Sequence, residues 1–179
     1  MGVIGFLEDI ATGNGRNAMW NARRVIGIGR PEGSWLWDDA VKYYSSLSVA
    51  GKNVLDMGSD YGVSPMFFLS RGALSVTGFS LWKQYFFDPR YTHRLELFTA
   101  EKIKDVSFSV LKADCEGCEY LLTKEHLIPL DDWIIAFHAP VENRELYEYC
   151  VANGVEAAPP PPRCEGFREE IAILKKKVA

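Results

Sequence analysis

The segment Val54-Leu55-Asp56-Met57-Gly58-Ser59-Asp60-Tyr61-Gly62 sets an acid near the end of an apolar run and then two glycines ahead of a helix signal. In open parallel sheets ligands bind outside the carboxyl ends of the strands, where strand-to-helix loops leave a crevice lined by backbone donors. Glycine at 58 and 62 would let the backbone come close to a ligand. The spacing D-x-G-x-x-x-G differs from the dinucleotide fingerprint G-x-G-x-x-G, in which a diphosphate needs glycines and a bare helix N-terminus. An acid entering the loop suits a cationic or hydroxyl-bearing ligand better.

A second group of reactive side chains lies downstream. Asp114 and Glu116 follow the strand-like run Phe108 to Ala113, and His138 ends the strand-like run Trp133 to His138. Acids and a histidine at neighbouring strand ends can orient or deprotonate an acceptor hydroxyl. The plainer readings are a helix N-cap for Asp114 and a hydrogen-bonded strand terminus for His138. The pair Cys115-x-x-Cys118 has a spacing used by zinc sites and redox dithiols. Cys150 and Cys164 supply no second close pair, so no metal site is expected. His93 and His126 have no matching partners and read as surface or packing residues. Gly27-Ile28-Gly29-Arg30-Pro31-Glu32-Gly33 reads as a loop, because Pro31 interrupts any helix after it.

The elements that must position these groups alternate. Ser34 precedes Leu36, Ala40, Tyr43 and Leu47 at helical spacing, which marks an amphipathic helix with Ser34 as N-cap and Asp38 and Asp39 near its positive end. Asn53 to Met57 reads as a strand. Ser64 as N-cap, Pro65 at the first helical position and Gly72 just past the end mark a helix, and Leu74 to Phe79 follows as a strand. Together they make one right-handed βαβ unit of a parallel sheet. Leu95 to Phe98 is a further expected strand, with helical stretches near Cys118 to Lys124 and Glu142 to Asn153. Four prolines at 159–162 form a stiff loop before a last strand from Arg168 to Leu174. The expected fold class is therefore α/β, mostly parallel, with helices on both faces.

Leu111-Lys112-Ala113-Asp114-Cys115-Glu116-Gly117-Cys118-Glu119-Tyr120-Leu121-Leu122 resembles the hallmark segment of the FkbM-type class I S-adenosylmethionine-dependent methyltransferases. Trp133-Ile134-Ile135-Ala136-Phe137-His138 resembles the histidine-ended strand that follows it, and the Asp56 loop resembles their first motif. The likeness runs from about residue 51 to about residue 175, leaving residues 1–50 as an N-terminal helical extension or cap on a core of 51–179. It implies a Rossmann-like sheet of seven strands, here expected to be abbreviated in the middle because Phe79 to Phe108 has room for one strand. It also implies S-adenosylmethionine as cofactor, held by Asp56, Met57, Gly58, Ser59, Gly62 and Ser80. Methylation of a hydroxyl on a small molecule or sugar follows, with Asp114, Glu116 and His138 acting on the acceptor. Two positions depart from the pattern: Ser80 stands where an acid ends the second strand, and Ala136 where a glutamate precedes the histidine. They motivate a rival reading, a methyltransferase fold that binds a ligand or partner without catalysis. A nucleotide-dependent oxidoreductase is disfavoured by the acid in the glycine loop.

Composition limits the rest. The chain has 179 residues, 47% hydrophobic, with a formal net charge of −4, which suits one globular domain and argues against a broad nucleic-acid footprint. No run of about twenty apolar residues is present, and Glu8 and Asp9 occupy the place of a basic signal-peptide start. A cytoplasmic protein without membrane attachment is expected. Lys175, Lys176 and Lys177 read as a solvated tail or strand end. Trp20, Trp35, Trp37, Tyr43 and Tyr44 would either cap the acceptor pocket or pack between the N-terminal helix and the sheet.

Overall fold

The computed structural model describes residues 35–59, 62–81, 88–115, 117–138, 143–157 and 172–177. Helix α1 (Trp35–Tyr44) precedes β1 (Asn53–Met57), α2 (Val63–Ser70), β2 (Ser75–Ser80) and β3 (Tyr91–Leu95). After a 3₁₀ segment, Ala100–Asp105, come β4 (Val110–Ala113), a second 3₁₀ turn Cys118–Leu121, α3 (Lys124–Leu127) and β5 (Asp132–Phe137). Helix α4 (Arg144–Asn153), β6 (Gly154–Glu156) and β7 (Ala172–Lys176) complete the order. Ser34, Glu116, Gly27 to Gly33, Trp20 and the four prolines lie outside the described residues.

The seven strands form one sheet in the order β3-β2-β1-β4-β5-β7-β6. Strands β3, β2, β1, β4 and β5 are mutually parallel, and β7 runs antiparallel to both neighbours. The chain leaves β1 for β2 on one side and returns to β4 on the other, so the switch point of the sheet lies between β1 and β4. The strand set is complete. The expected shortening falls on a connection, since only the 3₁₀ segment is helical between β3 and β4.

Alternation along the strands builds two cores. Val54, Val76, Val110 and Ile134 face α1 and α2 with Trp37, Tyr44, Phe67 and Phe68, while Leu55, Met57, Leu111, Trp133 and Ile135 face Leu127, Leu146 and Cys150 of α3 and α4. Helices thus cover both faces, as parallel strands require. The aromatic residues of α1 that are described pack as core: Trp37 meets Phe67 edge to face at 5.4 Å. No helix among the described residues is long and apolar enough to cross a membrane.

Several boundaries differ from expectation for physical reasons. Helix α2 starts at Val63 with Gly62 as N-cap, and Ser64 does not cap it because its hydroxyl donates to Asp56 Oδ2 at 2.6 Å. Gly72, at φ 87°, ends the helix as expected, its N–H reaching Leu69 O. The third strand is Tyr91–Leu95 rather than Leu95 to Phe98, because its partner β2 ends at Ser80, opposite Leu95. Beyond it Phe98 turns inward onto Phe79, with ring centroids 5.1 Å apart. The helical stretch near Cys118 to Lys124 divides where Leu122, extended and buried, drops into the second core. Of the two readings of the lysine cluster, strand end holds for Lys175 and Lys176, the last residues of β7: Lys175 is 8% exposed, donates to Ser46 O and stands 3.9 Å from Asp132, and Lys176 donates to Leu130 O at 2.5 Å. His126 closes a capping box with Thr123, and His93 stacks on Tyr91.

Candidate active site

The switch point gathers the carboxyl ends of β1 to β5, and with them Gly58, Ser80, Glu96, Asp114 and His138. A cavity of about 920 Å³ opens there. Its polar wall includes Ser80, Glu96 and Asp114, its apolar wall Leu81, Leu97, Phe98 and Leu121, and Asp39, Tyr43 and Tyr44 of α1 border it.

The glycine loop is held from beneath by an ion pair. Asp56 and Lys112 are register partners on β1 and β4, and both side chains are buried. The Lys112 ammonium lies 3.0 Å from Asp56 Oδ1, donates to Gly58 O at 2.6 Å, and sits 5.3 Å above the Tyr44 ring. Ser64 fills Asp56 Oδ2, whereas Oδ1 takes no aligned hydrogen bond among the described residues despite the nearby ammonium. Asp56 therefore shapes the loop from within.

Gly58 is required by backbone contact. Its φ is +84°, and a Cβ there would lie 2.0 Å from Asp114 O and 2.7 Å from Cys115 Cβ. The glycine lets the β1 loop pack on the β4 loop, so a side chain at 58 perturbs that packing before it meets any ligand. Gly78 plays a like part on β2, where a Cβ would meet Ser59 and the Tyr91 hydroxyl at 2.8 Å. Of the six expected cofactor positions, Gly58 and Ser80 line the cavity. Asp56, Met57 and Ser59 are fully buried, and Gly62 caps α2.

A chain of polar side chains runs inward from the cavity wall. Tyr44 donates to Asp114 Oδ2 at 2.5 Å, and Asp114 Oδ1 stands 3.6 Å from His138 Nε2. Behind the ring, Glu119 Oε1 lies 3.0 Å from both Nδ1 and the backbone N–H of His138, while Oε2 accepts from Gly117 N–H at 2.9 Å. Burial of Tyr44 and the adjoining Asp114 carboxylate push the phenol well above its usual range, so it stays a donor. Glu119 is fully buried, which pushes its carboxyl up, but the hydrogen bonds from His138 and Gly117 outweigh this and hold it below the ordinary 4.5. An ionised Glu119 makes Nδ1 the protonated nitrogen of His138 and turns Nε2 toward Asp114.

That depression fixes a pH effect. A carboxyl whose folded value lies below its unfolded one adds stability above the unfolded value and loses it as pH falls through the folded one. Glu119→Gln should therefore flatten the fall in stability on acidification below about pH 4.5, measured by denaturant unfolding across that range. An acid limb unchanged by the substitution would contradict it.

Asp114 and His138 are thus brought together, with Asp114 on the cavity wall and His138 behind it; Glu116 lies outside the described residues. Lys112 and Glu119 join the site without having been singled out as site residues by spacing, and Tyr44, expected either to cap the acceptor pocket or to pack on the sheet, joins it through Asp114. Glu119 and Lys112 both stand in the hallmark segment, and the strand register was the signal that could have exposed Lys112.

No protein-family model matches the chain. It is 29% identical over 117 residues to uncharacterized protein 158B of Sulfolobus islandicus rod-shaped virus 1, covering 60% of this chain and 74% of that protein. It is 26% identical over 117 residues to uncharacterized protein 65 of Sulfolobus islandicus filamentous virus, covering 60% and 73%. Among solved structures, a candidate S-adenosylmethionine-dependent methyltransferase of Streptococcus mutans superposes with a TM-score of 0.51 at 11% identity, over 80% of this chain and 48% of that one. A candidate hemolysin of Lactococcus lactis also superposes at 0.51, with 13% identity over 77% and 83%. The fold is Rossmann-like and shared with S-adenosylmethionine-dependent methyltransferases.

Proposed function

We propose that this chain is an S-adenosylmethionine-dependent O-methyltransferase of the FkbM type, acting on a hydroxyl of a small molecule or sugar rather than on nucleic acid. The observation that carries this reading is Asp114 on the wall of the switch-point cavity, braced by Tyr44 on one oxygen and faced by His138 on the other.

The residues present fit the cofactor. The volume lies within the range of about 300–1,000 Å³ usual for small-molecule sites. Ser80 and Glu96 offer acceptors for sugar hydroxyls, and Leu81, Leu97 and Phe98 beside them suit a flat apolar base. Bound there, S-adenosylmethionine would supply a methyl group already activated on a sulfonium. The protein's part is alignment, exclusion of water and proton handling. Tyr43 and Tyr44 border the cavity from α1 and shield it. Asp114 accepts the hydroxyl proton of the acceptor at the carboxylate oxygen that faces His138. The imidazole, its tautomer fixed by Glu119, then hydrogen-bonds or takes over that proton at Nε2.

A second reading, a fold that binds a ligand without transfer, is favoured by Ser80. A carboxylate at that strand end accepts charge-assisted hydrogen bonds, about twice as strong as those to a neutral hydroxyl. Losing one such bond costs on the order of 1 to 3 kcal/mol, so the parent should bind S-adenosylhomocysteine weakly. Ser80→Glu should bind it roughly tenfold to a hundredfold more tightly by titration calorimetry. Equal affinity would mean that another group, Glu96 foremost, already makes the contact.

Thermal unfolding with S-adenosylmethionine, S-adenosylhomocysteine and NAD tests whether the cavity takes the methyl donor or a dinucleotide. A ligand at a hundred times its Kd adds about 2.7 kcal/mol, or roughly 5 to 11 °C for a domain of this size. S-adenosylmethionine and its demethylated product S-adenosylhomocysteine should both raise the midpoint and NAD should not. Stabilisation by NAD alone would overturn the proposal.

A further inference from the structure

We infer that Cys115 and Cys118 form a redox-active dithiol whose oxidation by a small disulfide of the glutathione class tightens the loop that carries Asp114 and Glu119. The two Cα atoms lie 5.5 Å apart and the side chains are joined as a disulfide, a separation at the centre of the range for such bonds. Both cysteines are half-buried and line the cavity, so a small thiol reagent can reach them. The ring they close begins one residue after Asp114 and ends one residue before Glu119, so each arm of the Tyr44–Asp114–His138–Glu119 chain is tied to one of its sulfurs. Cys115 is also packed against the Gly58 turn. Movement of the ring would therefore reach the glycine loop as well.

A metal is the competing occupant, since Cys115, Cys118 and Glu119 place donor atoms within 4.8 Å of one another. Both Glu119 oxygens are already engaged by His138 and Gly117. Two thiolates alone fall short of the four ligands of a structural zinc site. Cys150, the remaining described cysteine, is buried with its thiol pushed up to about 12, and is inert by comparison.

The exchange is balanced by the reagent. One cysteine thiolate attacks oxidised glutathione and expels one glutathione thiolate; the second cysteine attacks the mixed disulfide and expels the other. Two electrons pass from the protein to the reagent, and the two thiol protons end on the two glutathiones released.

Two measurements on the whole chain decide the matter, whatever occupies the cavity. Alkylation and mass spectrometry in glutathione buffers of graded ratio count the free thiols, and hydrogen exchange at the Gly117 and His138 amides, both held by Glu119, reads the loop. Cys115 and Cys118 should convert together within the glutathione range. Opening so short a ring should speed exchange at both amides about ten- to thirtyfold. The double variant Cys115→Ala, Cys118→Ala should exchange at the reduced rate in both buffers. A pair that stays wholly oxidised or wholly reduced at every ratio would overturn the proposal, as would exchange rates in the parent that do not differ between the two states.

Discussion

Lys112→Met should lower the thermal midpoint sharply. Its ammonium is the buried counter-charge of Asp56 and a donor to Gly58 O, and both side chains are all but shut off from water. Removing one partner of a buried pair leaves an uncompensated charge and costs about 3–5 kcal/mol, a fall of roughly 6 to 20 °C for a domain of this size. The reverse deletion, Asp56→Leu, should cost a similar amount. The double variant Asp56→Leu, Lys112→Met should recover most of the loss, because apolar replacements of a buried pair are often close to neutral. Calorimetric unfolding of the four proteins forms the cycle. A Lys112→Met protein as stable as the parent would mean that the Asp56 carboxylate is neutral or reaches water, and the loop would need another support.

Asp114→Asn should reduce turnover by about a hundredfold to ten-thousandfold, the range over which a positioned base contributes. Asparagine keeps the size of the side chain and can still accept from Tyr44, yet it cannot take a proton. Affinity for S-adenosylhomocysteine should stay within a few-fold of the parent, because the proposed task concerns the acceptor. His138→Gln should lower turnover less and change the shape of the pH profile, since His138 stands behind Asp114 and works through it. Assays against a panel of hydroxyl acceptors, with donor binding measured separately, check both. Loss of donor affinity with saturated turnover intact would move Asp114 from the acceptor side to the cofactor side.

How much of this was legible in the residues themselves follows from what kind of interaction sets each feature. Asn53 to Met57 is bounded by its own composition, an apolar run closed by glycine, and the structure ends β1 at that Met57. Helix α2 was nearly as clear, because proline and glycine act on the backbone locally. Its first residue was misjudged because the Ser64 hydroxyl serves Asp56, eight residues earlier, instead of its own helix. The third strand was displaced because its end depends on where β2 stops, which is a property of the pairing. Strand β6, three residues long, carries no pattern of its own and exists through β7.

The site divides in the same way. Asp114 and His138 could be found as polar residues at the ends of apolar runs. Tyr44 meets Asp114 across 70 positions of sequence and Glu119 meets His138 across 19, contacts that only strand order creates. Lys112 reads as an ordinary polar interruption of a strand until β4 is set beside β1 and Asp56 appears opposite it. The acid of the glycine loop could be seen in advance to matter for the loop. That it faces a lysine rather than the cavity could not.

The claim that the crevice at the ends of β1, β2 and β4 holds the methyl donor is tested most directly by nitrogen–proton correlation spectra of this 20.2 kDa chain titrated with S-adenosylhomocysteine. The expected result is a saturable set of amide shifts at Gly58, Ser59, Ser80, Leu81, Leu97, Phe98 and Leu121, with Val151 and Val155 at the far edge unmoved. Spectra unchanged at millimolar ligand, or shifts gathered at β6 and β7 instead, would contradict the account.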